Sequence, residues 1–207
     1  MELEPKGDET KASGVGWENA SEQRGEYKTP VFLSYPKPFD NRQHTFIQKL
    51  SKHLSERDFA PRTLGVTDYN NQAPLRAIRK IMLESYGLIT VAFRRTYLKK
   101  ATGNYRTDID SLDPYDLSDT WITSPWSHIE PAMAYQIGLP IMILRESGVV
   151  ADGVLEKGVV GLYMPEFDLE DDTSDYLQSR EWRHLIRNWE ADVRAAENHR
   201  AEPPRLY

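Results

Sequence analysis

The stretch that most constrains this chain is Gly87-Leu88-Ile89-Thr90-Val91-Ala92-Phe93. It is a β-rich apolar run without the polar alternation of a strand that keeps one face wet. Both of its faces must therefore be covered, as in the central strand of a parallel sheet. A strand of that kind needs helices above and below it, and the chain supplies strands and helices in alternation. Pro30-Val31-Phe32-Leu33-Ser34-Tyr35 reads as a buried first strand. Asp40 or Asn41 caps a helix to about Arg57, with Phe46, Ile47, Leu50 and Leu54 on one face. Phe59 to Leu64 is a shorter strand that Pro61 assigns to a sheet edge. Pro74 opens a second helix through Glu84, with Leu75, Ile78, Met82 and Leu83 at helical spacing.

Beyond the central strand, Ser124 can cap a helix that Pro125 opens and Gly138 closes. Leu139 to Leu144 reads as the fourth strand and Val159 to Met164 as the fifth. These elements predict a flavodoxin-like α/β domain: a doubly wound parallel five-stranded sheet in the order 2-1-3-4-5. Its ligand crevice lies between strands one and three, beyond their carboxyl ends. A C-terminal helical extension follows, capped by Thr173 or Ser174. Its stripe of Leu177, Trp182, Leu185, Ile186, Trp189 and Val193 must dock on the sheet or on a second protomer. The expected organisation is a disordered tail over residues 1–28, a domain over 29–167 and a C-terminal helix and tail over 168–207. A polar insert at 98–122 carries Asp108, Asp110, Asp113, Asp116 and Asp119, and a connection of that length reads as a lid or a disordered segment.

Composition narrows the function. Acidic residues outnumber basic ones 32 to 26, which argues against nucleic acid as an obligate partner while leaving room for a local basic patch. The chain has no cysteine, so disulfides and thiolate metal sites are excluded, and its histidines are scattered, so no metal is expected. No apolar run is long enough to span a bilayer, and Met1 to Pro5 has no signal-peptide character, so a cytoplasmic protein without membrane partners is expected.

The chemistry centres on Glu130. It follows Ser124-Pro125-Trp126 by one helical turn, near a helix N-terminus that favours its anion, and Pro131 directly after it would kink the helix or restart it. Topology places it near the mouth of the crevice. No Ser/His/Asp order and no strong phosphate-binding loop are legible. A lone carboxylate suits cleavage of an N-ribosidic bond, whose oxocarbenium-like transition state an anion stabilises. Nicotinamide already carries its positive charge in NAD and leaves without a general acid. Tyr35, Phe39 and Trp126 are the candidate aromatic walls. Glu130 could instead be structural, paired with Arg94 or Arg95.

These residues resemble a known family. Val31-Phe32-Leu33-Ser34-Tyr35 resembles the first strand of TIR domains, and Ile78 to Tyr97 their second helix and third strand. Ser124, Trp126 and Glu130 match their Ser-x-Trp-x-x-x-Glu box. Glu130, Ala134, Gly138 and Pro140 also resemble the Glu-x-x-x-Ala-x-x-x-Gly-x-Pro helix of nucleoside 2-deoxyribosyltransferases. The segment from Arg94 to Thr123 is longer than TIR domains usually carry there.

The resemblance to NAD-consuming bacterial TIR proteins implies that Glu130 is catalytic. Ser34, Tyr35, Phe39, Trp126 and Arg94 would bind the substrate. NAD is then a substrate and no cofactor is needed; the product is ADP-ribose, or a cyclised or transferred form of it. The loop at 65–73, with Asp68 and Tyr69, would contact a neighbouring copy, so that homo-oligomerisation gates activity. A role in anti-phage signalling, with an upstream sensor or a downstream effector, follows by analogy only. Two alternatives stand beside this reading: a deoxyribosyltransferase or N-glycosidase acting on nucleosides or nucleotides, and a non-enzymatic scaffold that signals by assembly.

Overall fold

The computed structural model describes residues 27–199, apart from 70, 72, 162, 171 and 172. Residues 1–26 of the expected tail, and the C-terminal tail from 200 onward, lie outside the described residues. In chain order the chain forms β1 (Thr29–Ser34), α1 (Asn41–Ser55), β2 (Phe59–Arg62), α2 (Pro74–Leu83) and β3 (Leu88–Ala92). Four short strands follow: β4 (Thr96–Leu98), β5 (Thr102–Gly103), β6 (Tyr115–Asp116) and β7 (Thr120–Ile122). Then come α3 (Trp126–Gln136), β8 (Ile141–Glu146), β9 (Glu166–Phe167), α4 (Thr173–Gln178) and α5 (Arg180–Asn198).

The main sheet has the order β2-β1-β3-β8-β9, and every pair in it is parallel. Counted within the sheet this is the expected 2-1-3-4-5 order. β3 is buried at all of its positions, as its unbroken apolar run requires. Alternate residues on each strand divide the core into two layers. Val31, Leu33, Ile89 and Val91 face α1 and α5, meeting Phe46, Leu50, Trp182 and Ile186. Phe32 and Leu88 face α2 and α3, meeting Ile78, Ile81, Met82 and Ala134. The C-terminal stripe therefore docks on the sheet. Gly87 permits that close approach, because a Cβ there would stand 2.5 Å from Val193 Cγ2 and 2.9 Å from Trp189 Cζ2.

Three local expectations are corrected. The fifth strand is Glu166–Phe167 rather than 159–164. The Gly158 N–H bonds the Gly161 carbonyl at 2.8 Å, with Gly158 at φ +95°, so the two glycines fold the apolar run into a turn; residue 162 lies outside the described residues. The C-terminal segment is two helices, not one. Ser179 is extended (φ −61°, ψ 159°), and its side chain accepts the Trp182 N–H at 3.0 Å, so Ser179 caps the long α5 in place of Thr173 or Ser174. Residues 98–122 are neither structureless nor a free loop. β4 pairs with β7 and β5 with β6, both antiparallel, forming a two-step hairpin arm. The arm is anchored at its base, where the Trp121 N–H bonds the Gly148 carbonyl and the Trp121 carbonyl accepts the Val150 N–H.

Candidate functional site

The site forms where β1 and β3 end against the start of α3. Pro125 already has helical angles, and Ser124 Oγ accepts the Trp126 N–H at 3.3 Å, so the Ser-Pro pair does open this helix. α3 continues through Pro131 without a break. Proline has no N–H for the Ser127 carbonyl one turn back. Ser127 is buried, with its hydroxyl 3.3 Å from that of Thr123.

Glu130 lies five residues into α3, only 8% exposed. The Ser34 hydroxyl, at the carboxyl end of β1, donates to Glu130 Oε2. Among the described residues no cation lies within ion-pair distance of Glu130, so the Arg94 or Arg95 pairing is not formed. Burial pushes the Glu130 carboxyl from 4.5 up to about 7, and the Ser34 hydrogen bond offsets only part of that rise. This corrects the expectation of a carboxylate held anionic by the helix terminus. The net rise corresponds to about 3 kcal/mol, whereas a helix terminus supplies at most about 2 kcal/mol in a buried setting. Desolvation wins.

Thr90 pairs in register with Ser34 on the neighbouring strand, on the sheet face that carries α3. Its hydroxyl is fully buried and has no hydrogen-bond partner among the described residues. A polar residue inside the otherwise apolar Leu88–Ala92 run was the signal for it, and the sequence reading passed over it. Trp126 stands one helical turn before Glu130, on the same side of α3, and is 39% exposed. Tyr35 is half-buried against the α1/α5 layer, with Thr63 as hydrogen-bond partner of its hydroxyl.

Phe39 is exposed and stacks on Trp121 of the arm, with ring centroids 6.4 Å apart and planes at 15°. Tyr97 packs against the same indole, with ring centroids 5.0 Å apart. Trp121 was not singled out from sequence, since it reaches Phe39 only through the folding back of the arm.

Arg94 belongs to a second polar cluster. Its backbone N–H donates to Glu146 Oε2 at 2.7 Å, and its Nε donates to the Ser147 carbonyl at 2.5 Å. Its guanidinium stands 3.8 Å from Glu146 and 3.8 Å from Glu170. Gln43, buried on α1, donates to both Glu146 (3.1 Å) and the Arg94 carbonyl (3.0 Å) while accepting the Phe39 N–H at 3.2 Å. Glu146 is buried too, and burial raises its pKa. This network ties the 35–40 loop to the ends of β3 and β8 and so sets where Phe39 sits.

Asp68 and Tyr69 lie apart from the site. Asp68 pairs with Arg62, which depresses its carboxyl pKa, and Arg62 also reaches Glu84 at 2.9 Å. Tyr69 projects into solvent, 82% exposed. His128 points to Asp152, at 3.6 Å. Among the described residues no three His, Asp or Glu side chains gather closely enough to hold a metal ion, and no helix is long and apolar enough to cross a membrane.

No protein-family model matches the chain, and no curated protein matches it. Among solved structures it is similar to the CMP N-glycosidase BcmB of Clostridium botulinum, with 17% identity and a TM-score of 0.42 over 72% of this chain and 96% of that one. It is also similar to the TIR domains of the activated Roq1 resistosome that directly recognises the pathogen effector XopQ. That match has 14% identity and a TM-score of 0.38, over 83% of this chain and 84% of the other.

Proposed function

We propose that this chain breaks the bond between a ribose C1′ and a base nitrogen, with NAD as its substrate and Glu130 as the reacting carboxylate. The observation that carries this reading is a single buried carboxyl without a cationic partner among the described residues, held by the Ser34 hydroxyl at the carboxyl end of the central strands. A carboxylate so desolvated has few competing interactions, and it gains most from a positive charge that develops beside it. As the C1′–N bond breaks, its electron pair moves to the nicotinamide nitrogen and cancels that cation. The ribose becomes oxocarbenium-like and Glu130 stabilises it. Water then adds at C1′ and loses a proton, giving ADP-ribose; attack by a nitrogen or hydroxyl of the same or another molecule gives a cyclised or transferred product.

Ser34 orients the carboxylate, while Phe39 and Trp126 form the aromatic walls; Tyr35, packed on the α1/α5 face of the sheet, is not among them. Arg94 acts through Glu146 and Gln43 as a positioning residue for the Phe39 loop. Asp68 and Tyr69 belong to the loop that meets a neighbouring copy. The role in anti-phage signalling follows from the sequence resemblance alone.

One observation favours a second substrate class. A carboxyl with a pKa of about 7 is half protonated at neutral pH. In that form it can hand a proton to an uncharged base, as a nucleoside or nucleotide N-glycosidase or a deoxyribosyltransferase requires.

The test is base release from NAD and from a panel of nucleosides and nucleoside monophosphates, with wild type and Glu130→Gln at high protein concentration. Nicotinamide release that rises with pH through about 7 and vanishes in the variant supports the NAD reading. Release from a nucleoside or nucleotide that falls over the same range supports the second. Turnover unaffected by Glu130→Gln overturns the role given to Glu130, and no turnover on any substrate overturns the enzymatic reading and leaves the assembly scaffold.

A further inference from the structure

The outward side of α5 carries Arg180, Arg183, His184 and Arg187, spaced as successive turns of one helical face. The opposite side buries Trp182, Ile186, Trp189 and Val193. Together with Arg57, from the turn after α1, these basic residues line an open cavity of about 540 Å³, within the size range of small-molecule sites. The cavity lies on the α1/α5 side of the sheet, whereas Glu130 stands on the α3 side.

The charges of α5 are mixed with respect to its dipole. Arg180 and Arg183 stand in the first turn, where the dipole disfavours cations, with the favourable Glu181 between them, while Glu190, Asp192 and Glu197 lie toward the C-terminus together with Arg194. Internal pairing does not explain the arrangement. Arg183 and Arg187 each spend their Nε on a helix carbonyl, those of Ser179 (3.2 Å) and Arg183 (2.9 Å). That leaves most of the five N–H donors of each guanidinium available. The Arg180 side chain has no hydrogen bond or ion pair among the described residues, and His184 meets the Asn188 amide at 3.1 Å. Among the described residues Glu190 is the one carboxylate bonded to a lining residue, holding Arg57 at 3.0 Å.

Arg57 is held from its other side as well. His53 Nε2 accepts from Arg57 Nε at 2.9 Å and from Trp182 Nε1 at 3.1 Å, which requires a neutral ring with that nitrogen unprotonated. Burial and the neighbouring Arg57 hold the His53 pKa below its ordinary value. The cavity wall is thus held from two sides at Arg57 and rich in unused donors on the α5 side.

We infer that this cavity binds the phosphate chain of a small oligophosphate ligand. Guanidinium forks match phosphate oxygens two at a time. From Arg180 to Arg187 they are spread over roughly 10 Å of helix, more than one phosphate can engage. The cavity's basic lining is confined to Arg57 and one face of α5, which suits a short chain of phosphates better than a long nucleic acid backbone.

The experiment is isothermal titration of the full chain with inorganic tripolyphosphate at fixed ionic strength, with sulfate as comparator. Saturable tripolyphosphate binding is expected, with sulfate at least tenfold weaker. Arg183→Glu/Arg187→Glu should weaken tripolyphosphate binding at least tenfold. Its melting temperature without ligand should stay close to that of wild type, because both side chains are exposed. If that variant melts lower, Arg183→Gln/Arg187→Gln takes its place with the same expected loss.

A nucleoside triphosphate arm distinguishes the sources of the phosphates. Affinity equal to tripolyphosphate identifies the phosphate chain as the whole ligand, and tighter binding adds a nucleoside; both outcomes support the site. Absence of binding, equal binding of sulfate, or binding unchanged in a folded double variant overturns it. None of these outcomes depends on turnover at Glu130.

Discussion

Replacing Glu130 by glutamine should make the protein more stable at neutral pH while removing its proposed activity. The side chain is almost fully buried, and its carboxyl titrates at about 7 in the folded protein against 4.5 when exposed. The folded state therefore binds the proton more tightly than the unfolded chain does. Stability is full below pH 4.5, falls as the pH climbs toward about 7, and levels off above that. The slope in this window approaches 1.4 kcal/mol per pH unit, and the accumulated loss is about 3 kcal/mol at pH 7. The glutamine of the variant has no such titration, and its amide oxygen can still accept the Ser34 hydroxyl.

Urea unfolding of both proteins from pH 4 to 9 measures this directly. The two stability curves should converge near pH 4.5 and separate by about 3 kcal/mol at and above pH 7, with equal m-values. For a domain of this size the separation is roughly 6–12 °C in melting temperature. Curves that run parallel across the whole range would refute the reasoning, because they would mean that Glu130 titrates alike in the folded and unfolded chain. A variant less stable than wild type at pH 8 would refute it too.

Ser34→Ala removes the hydrogen bond that lowers the Glu130 pKa, so the pH dependence of base release should move to higher pH; an unchanged or more acidic profile would contradict the role given to Ser34. Gly87→Ala places a Cβ against Val193 and Trp189 under α5 and should cost about 1–3 kcal/mol in urea unfolding by overpacking. A change below about 0.5 kcal/mol would show that α5 does not sit as closely on the sheet as described.

Much of the scaffold was legible in the chain because its signals are local. The apolar run before Phe93 required covered faces, and the strand–helix alternation required a parallel sheet. The site was legible only in outline. Ser34 and Glu130 were both singled out, yet their contact joins residues 96 positions apart, and no periodicity reports such a pairing. Trp121 went unnoticed for the same reason, since it meets Phe39 only when the arm folds back; Thr90 carried a local signal as a polar residue in an apolar run, but only sheet register places it beside Ser34. The error at the fifth strand was of another kind. The 159–164 run is apolar enough for a strand, but residues 158–161 close into a turn, and the edge pairing passes to Glu166–Phe167.

By itself the sequence determined the order of the elements, the parallel sheet and the place of Glu130 one turn into a helix, since hydrophobic spacing and cap residues act over a few positions. Only the tertiary structure decided the state of that carboxyl, because desolvation depends on everything packed around it and here outweighs the helix terminus that the sequence suggested. It also decided that Arg94 faces Glu146 and that the arginines of α5 share a cavity with Arg57. Charges find their partners through space, and the folded chain sets those distances.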